Sequence, residues 1–155
     1  MFASLDGERI LVVAAHPDDE VLGCGGTIAR HTKGGGVAHA LILGEGVNAR
    51  GEDAAALAAL ADSALKAQEI LGYEIVTLQD APDNRFDSFP LLDLVQRIEA
   101  VLSVFKPTMI LTHHEGDLNV DHQITFKAVV TAARPMAEEA VRTILSFETL
   151  SATEW

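Results

Sequence analysis

His16-Pro17-Asp18-Asp19-Glu20 follows directly on the apolar run Ile10 to Ala15. One imidazole and three carboxylates at the end of a strand-length run read as the rim of a metal site. A second stretch, Asp121-His122, comes after another apolar run, Met109 to Thr112. His16 and Asp19 stand three positions apart, so one turn brings both side chains to a single ion. His122 supplies a third ligand from the opposite loop. Three protein ligands and one position left for water make a catalytic zinc site. An ion held there lowers the pKa of its water and polarises a carbonyl oxygen. Asp18, pointing away from its neighbour Asp19, is then free to act as general base. Either stretch alone also reads as a turn whose aspartates cap a helix. Two such stretches at strand ends favour the metal over the turn.

Five apolar runs of strand length must position these residues: Arg9 to Ala15, Val37 to Leu43, Glu74 to Gln79, Thr108 to Thr112 and Arg142 to Phe147. Most are apolar at both alternating positions, the pattern of strands covered on two sides in a parallel sheet. Helical patterns lie between them. Leu91, Leu94, Val95, Ile98, Leu102 and Phe105 recur at three- and four-residue steps, one buried stripe. Pro90 and Pro107 bracket that helix. Ala54 to Leu71 is rich in Ala and Leu and stops before Gly72. Val21 to Lys33 and Asp121 to Ala133 complete the set. Strands alternating with helices predict an α/β fold, an open, doubly wound, mostly parallel sheet with right-handed crossovers and helices on both faces. Such sheets bind ligands beyond the carboxyl ends of their strands, where strand order reverses. His16, Asn48 and Arg50, Asp80 to Arg85, and His113 to His122 all fall on that edge.

The 155 residues are 48% hydrophobic and 22% charged, an ordinary globular composition that predicts one domain over 1–155. No apolar stretch approaches bilayer-spanning length, and Met1 to Arg9 lacks the features of a secretory signal, so the expected location is the cytoplasm. A net charge of −12 disfavours nucleic acid and anionic membranes as partners. A single cysteine, Cys24, excludes an internal disulfide framework and a cysteine-cage zinc site, and reads as a small buried residue. Glu20 reads as a first-turn carboxylate favoured by the helix dipole. Gly23, Gly25 and Gly26 miss the dinucleotide-binding spacing, because Ile28 stands at the third glycine position, and read as close helix–sheet packing. His31 and His39 lie away from the active edge.

Ala15-His16-Pro17-Asp18-Asp19-Glu20 resembles the signature of the LmbE-like, or PIG-L-like, zinc-dependent de-N-acetylases. The segment from Thr112 to His122 resembles that family's second metal motif, and the resemblance runs from about Arg9 to the chain end. It implies a Rossmann-like fold, with His16, Asp19 and His122 as Zn2+ ligands, Asp18 as general base and Asp121 as a carboxylate orienting a histidine. Arg50 resembles a substrate-contacting arginine and Asp83 the residue that binds sugar hydroxyls. Arg85 and Asn119 complete the expected substrate contacts. Many members carry a histidine where this chain has Asn119. His113 and His114 are the neighbours that could take its role as acid, with His114 assigned to it, and Asp18 shuttling the proton alone is the other option. Family members usually continue past the position of Trp155, so a missing C-terminal part is expected.

The expected activity is hydrolysis of an acetyl group from an N-acetylated sugar by a zinc-activated water. An amidase acting on a larger amide or thiol conjugate is the alternative within the same chemistry, and a non-catalytic sugar-binding module is the rival outside it. Iron, cobalt or nickel would also suit two imidazoles and a carboxylate. The expected partner is a small N-acetyl sugar or sugar conjugate, and exposed edges would permit a homo-oligomer.

Overall fold

In the computed structural model, residues 5–46, 54–135 and 141–150 are described. The elements alternate: β1 (Arg9–Ala14), α1 (Asp19–Lys33), β2 (Val37–Gly44), α2 (Ala54–Leu71), β3 (Ile75–Ala81), a 3-10 turn (Phe86–Ser88), α3 (Leu91–Phe105), β4 (Met109–His113), α4 (Val120–Ala132) and β5 (Thr143–Phe147). The sheet runs β3-β2-β1-β4-β5 and every pairing is parallel. This is the doubly wound α/β arrangement anticipated from the run pattern. Strand order reverses between β1 and β4, which pair directly, Val12 opposite Leu111.

Burial explains why the central strands lack alternation. Ile10, Leu11, Val12 and Val13 are all fully buried. Leu11 and Val13 pack with Leu94, Ile98 and Leu102 of α3 and Ala128 and Val129 of α4. Ile10 and Val12 face the other way, onto Cys24 and Ile28 of α1 and Leu71 of α2. Each such side chain contributes roughly 1.5–3 kcal/mol by leaving water. The outer strands β3 and β5 are half exposed along their lengths, as sheet edges are.

Two boundaries differ from the sequence reading in ways that matter for chemistry. Helix α1 begins at Asp19, two residues early, because the Asp18 carbonyl accepts from both Val21 N and Leu22 N. Strand β4 extends one residue further, to His113, which draws that imidazole into the sheet. Among the glycines, Gly23 fulfils the close-packing expectation, since a Cβ there would overlap the Phe147 ring. Gly26 faces open space, and Gly25 has room for an ordinary contact with Leu71. No helix among the described residues is long and apolar enough to cross a membrane.

Candidate metal centre

The reversal point brings the end of β1, the start of α1 and the β4–α4 segment together. His16, Asp19 and His122 each offer a ligand atom, all within 4.8 Å of one another. Asp19 Oδ2 is the hub. It lies 3.4 Å from His16 Nδ1, 3.2 Å from His122 Nε2 and 3.4 Å from His113 Nε2, and it accepts from the His16 backbone N–H at 2.9 Å. Asp19 and His122 are buried, and only part of His16 reaches the surface.

The far nitrogens of the two candidate ligand histidines are already engaged. His16 Nε2 is 3.0 Å from Asp121 Oδ2 and 3.2 Å from Asp83 Oδ1. His122 Nδ1 is 2.9 Å from Asp117 Oδ2. These carboxylates require a proton on the nitrogen that faces them, a tautomer set by the hydrogen-bond network. In neutral rings, the lone pairs of His16 Nδ1 and His122 Nε2 then converge on the Asp19 carboxylate. Two lone pairs and an anion facing one point suit a divalent cation, so these residues fit the metal that the sequence implies.

Protonation states follow the same geometry. Burial opposes charge on His16, yet hydrogen bonds to Asp121 and Asp19 outweigh it and raise its pKa to about 10. His122 is raised for the same reason, its burial being outweighed by Asp19 and Asp117. Asp19 is buried, but the three imidazoles around it hold its carboxyl well below the usual range. Asp18 is pushed upward, by burial first and then by the charge of Asp19.

Asp121 is fully buried and held from three sides. Besides His16, it accepts from Asn84 N at 2.7 Å and Phe86 N at 3.0 Å. The sequence reading gave Asp117 no role of its own and offered His113 only as an acid, which its burial does not suit. Asp117 fixes the ring of His122, as described. His113 is buried, its Nε2 accepts from Ala15 N at 2.9 Å, and its ring stacks on His122 with centroids 3.8 Å apart. Its Nδ1 is buried without a hydrogen-bond partner among the described residues, and burial holds its pKa down. His114 is exposed, with Nδ1 accepting from Gly116 N, and it borders a cavity of about 470 Å³ with Asp117, Ser146, Phe147 and Glu148.

The remaining expected residues separate. Asp83 is half-buried beside His16, with Oδ1 also accepting from Asn84 Nδ2. Arg85, two residues on, is exposed. Asn119 caps α4, its Oδ1 accepting from Asp121 N at 2.8 Å. Arg50, with Asn48, lies outside the described residues. Glu20 is 1% exposed and more than a dipole partner: its carboxylate accepts from Asp18 N. Cys24 is buried, donates to the Glu20 carbonyl and takes no part in the centre.

Residues 11–133 match the model of the PIG-L family, described as GlcNAc-PI de-N-acetylase. An uncharacterized deacetylase of Escherichia coli K12, YaiS, is 28% identical over 147 residues, 92% of this chain and 74% of its own length. A 1D-myo-inositol 2-acetamido-2-deoxy-alpha-D-glucopyranoside deacetylase of Rhodococcus jostii RHA1 is 44% identical over 75 residues, 47% of this chain and 24% of that protein. Among solved structures, the conserved protein TT1542 of Thermus thermophilus superposes with TM-score 0.77 at 24% identity, covering 90% of this chain and 66% of that one. GalB of Pseudomonas putida KT2440, a 4-carboxy-2-hydroxymuconate hydratase, has TM-score 0.76 and 28% identity over 96% of this chain and 69% of its own.

Proposed function

The chain belongs to the PIG-L, or GlcNAc-PI de-N-acetylase, family, and from that premise we propose that it is a metal-dependent hydrolase removing acetyl from an N-acetylated amino sugar. The observation that carries the reading is the convergence of His16, Asp19 and His122 on one point, with the far side of each imidazole tied to a carboxylate. Zn2+ or a similar divalent ion held there would polarise the acetamide carbonyl and make a water acidic near neutrality.

The chain's own residues do the rest. Asp18 reaches solvent and lies close enough to Asp19, His16 and His122 to feel their charges. Its raised pKa suits a base that takes a proton from water and returns it to the departing amine. Asn119 has no titratable proton, and His114, the acid expected from sequence, is exposed with its Nδ1 turned to Gly116 N, so Asp18 performs both transfers. His113, neutral and enclosed, holds the ring of His122 and the Ala15 amide in place rather than meeting substrate. Asp83 lies beside His16, where sugar hydroxyls would be read, and Arg85, exposed two residues on, is assigned to substrate on sequence alone. Arg50 is assigned to substrate on sequence alone.

One comparison favours a second reading. The hydratase GalB is as similar in sequence as the deacetylase YaiS, 28% in both cases. The same site would then add water across a carbon–carbon double bond of an unsaturated acid. Elemental analysis of the purified protein, paired with acetate detection on a panel of N-acetylglucosamine derivatives and thiol conjugates, tests the first reading. Absorbance loss with unsaturated dicarboxylates tests the second. One bound divalent ion and acetate release are expected. Full metal occupancy with no acetate from any member of the panel contradicts the deacetylase.

A further inference from the structure

Asp18 occupies a backbone conformation that an L-residue rarely adopts, φ 131° and ψ −29°. It is the cap residue of α1, yet its side chain makes no capping bond. The contrast with Asn119 is direct, because Asn119 spends its side-chain oxygen on its own helix. An aspartate at this position ordinarily does the same. Here its carboxylate is not spent on capping the helix, and something else must hold the backbone in a strained state.

The neighbouring contacts identify what does so. The Asp18 carbonyl is fixed by Val21 N at 3.0 Å and Leu22 N at 2.9 Å. The Asp18 amide is fixed by Glu20 Oε2 at 3.1 Å. Glu20 is itself immobilised: its side chain is enclosed, and its carbonyl accepts from Cys24 Sγ at 3.3 Å. We propose that Glu20 is a positioning residue, a buried acceptor that clamps the Asp18 amide and so aims the Asp18 carboxylate at the reacting water. The inference rests on the role proposed for Asp18. What the amide needs is an oxygen acceptor and not a charge, so glutamine serves and a thioether of similar length does not.

The test uses Glu20→Met and Glu20→Gln in the metal-loaded full chain, with crystal structures and acetate-release kinetics for each. In Glu20→Met, Asp18 leaves the positive-φ region and kcat falls about a hundredfold, the scale of a small misplacement of a reacting group. KM and metal content stay unchanged. Glu20→Gln keeps Asp18 at positive φ and returns turnover to within a few-fold of the parent. In an Asp18→Asn background, Glu20→Met brings no further loss. The proposal is overturned if Asp18 keeps its conformation in Glu20→Met, if Glu20→Gln is as impaired as Glu20→Met, or if Glu20→Met still lowers residual turnover once Asp18 is gone. If Asp18→Asn leaves turnover intact, the assignment of the base fails, and the backbone conformation of Glu20→Met still decides the clamp.

Discussion

Asp121 Oδ2 lies 3.0 Å from His16 Nε2, so the acidic stretch that follows β4 orients the histidine that follows β1. The pair spans 105 positions of sequence and crosses the point where strand order reverses. Its consequence is that neither stretch forms the centre alone.

The first prediction is that Asp121→Asn weakens zinc affinity about 10–100-fold, the usual effect of removing a carboxylate behind a ligand histidine. An amide also cannot accept from Asn84 N, Phe86 N and His16 together, so thermal stability falls as well. Competition with a fluorescent chelator measures the first effect. Affinity within twofold of the parent would contradict the role assigned to Asp121.

Metal uptake should expel protons. The pKa of His16 is raised to about 10 in the folded, metal-free chain, from an ordinary 6.5. A raised pKa stabilises the folded state below the unfolded value and loses that contribution as pH climbs through about 10. At pH 8 His16 is therefore protonated and must lose its proton to bind a cation. Zinc affinity is expected to rise with pH between about 7 and 10, with proton release seen by calorimetry in buffers of differing ionisation enthalpy. Uptake at pH 8 without proton release would mean the histidine is not a ligand.

Gly23→Ala tests how tightly α1 sits on the sheet. The added Cβ overlaps the Phe147 ring, which also packs edge-on against His113 at 4.9 Å. Overpacking of this kind costs about 1–3 kcal/mol, read from denaturant midpoints. Gly26→Ala, directed at open space, is expected to be neutral or slightly stabilising. Equal effects of the two substitutions would refute the packing assignment.

Cys24 offers a check on burial. Enclosure, with Glu20 nearby, pushes its thiol up to about 12. The folded protein is expected to resist iodoacetamide at pH 8, because the thiolate is the reactive form and the sulfur is covered. Denaturation should restore ordinary reactivity within minutes. Rapid labelling of the native chain would show that α1 opens readily.

Central strands were legible because burial on both faces leaves a continuous apolar run, as in Ile10 to Ala14. The ligand candidates were legible because charged residues at the ends of such runs must face either solvent or an ion. Asp117 was not, because its role depends on how the β4–α4 loop folds back, which no periodicity encodes. His113 left a faint signal. It shares strand parity with Met109 and Leu111, which face α1, so alternation alone directs it toward Asp19 at the start of that helix. The capping role of Asn119 had a motif-level signature, an asparagine just before a helix, but it competed with a substrate-binding reading of the same position.

The most direct measurement is an anomalous difference map collected at the zinc edge from crystals grown with zinc. One peak is predicted between His16 Nδ1, Asp19 and His122 Nε2, at about 2.0–2.2 Å from each ligand atom. A map with no peak there, or with its strongest peak away from these three residues, would contradict the account.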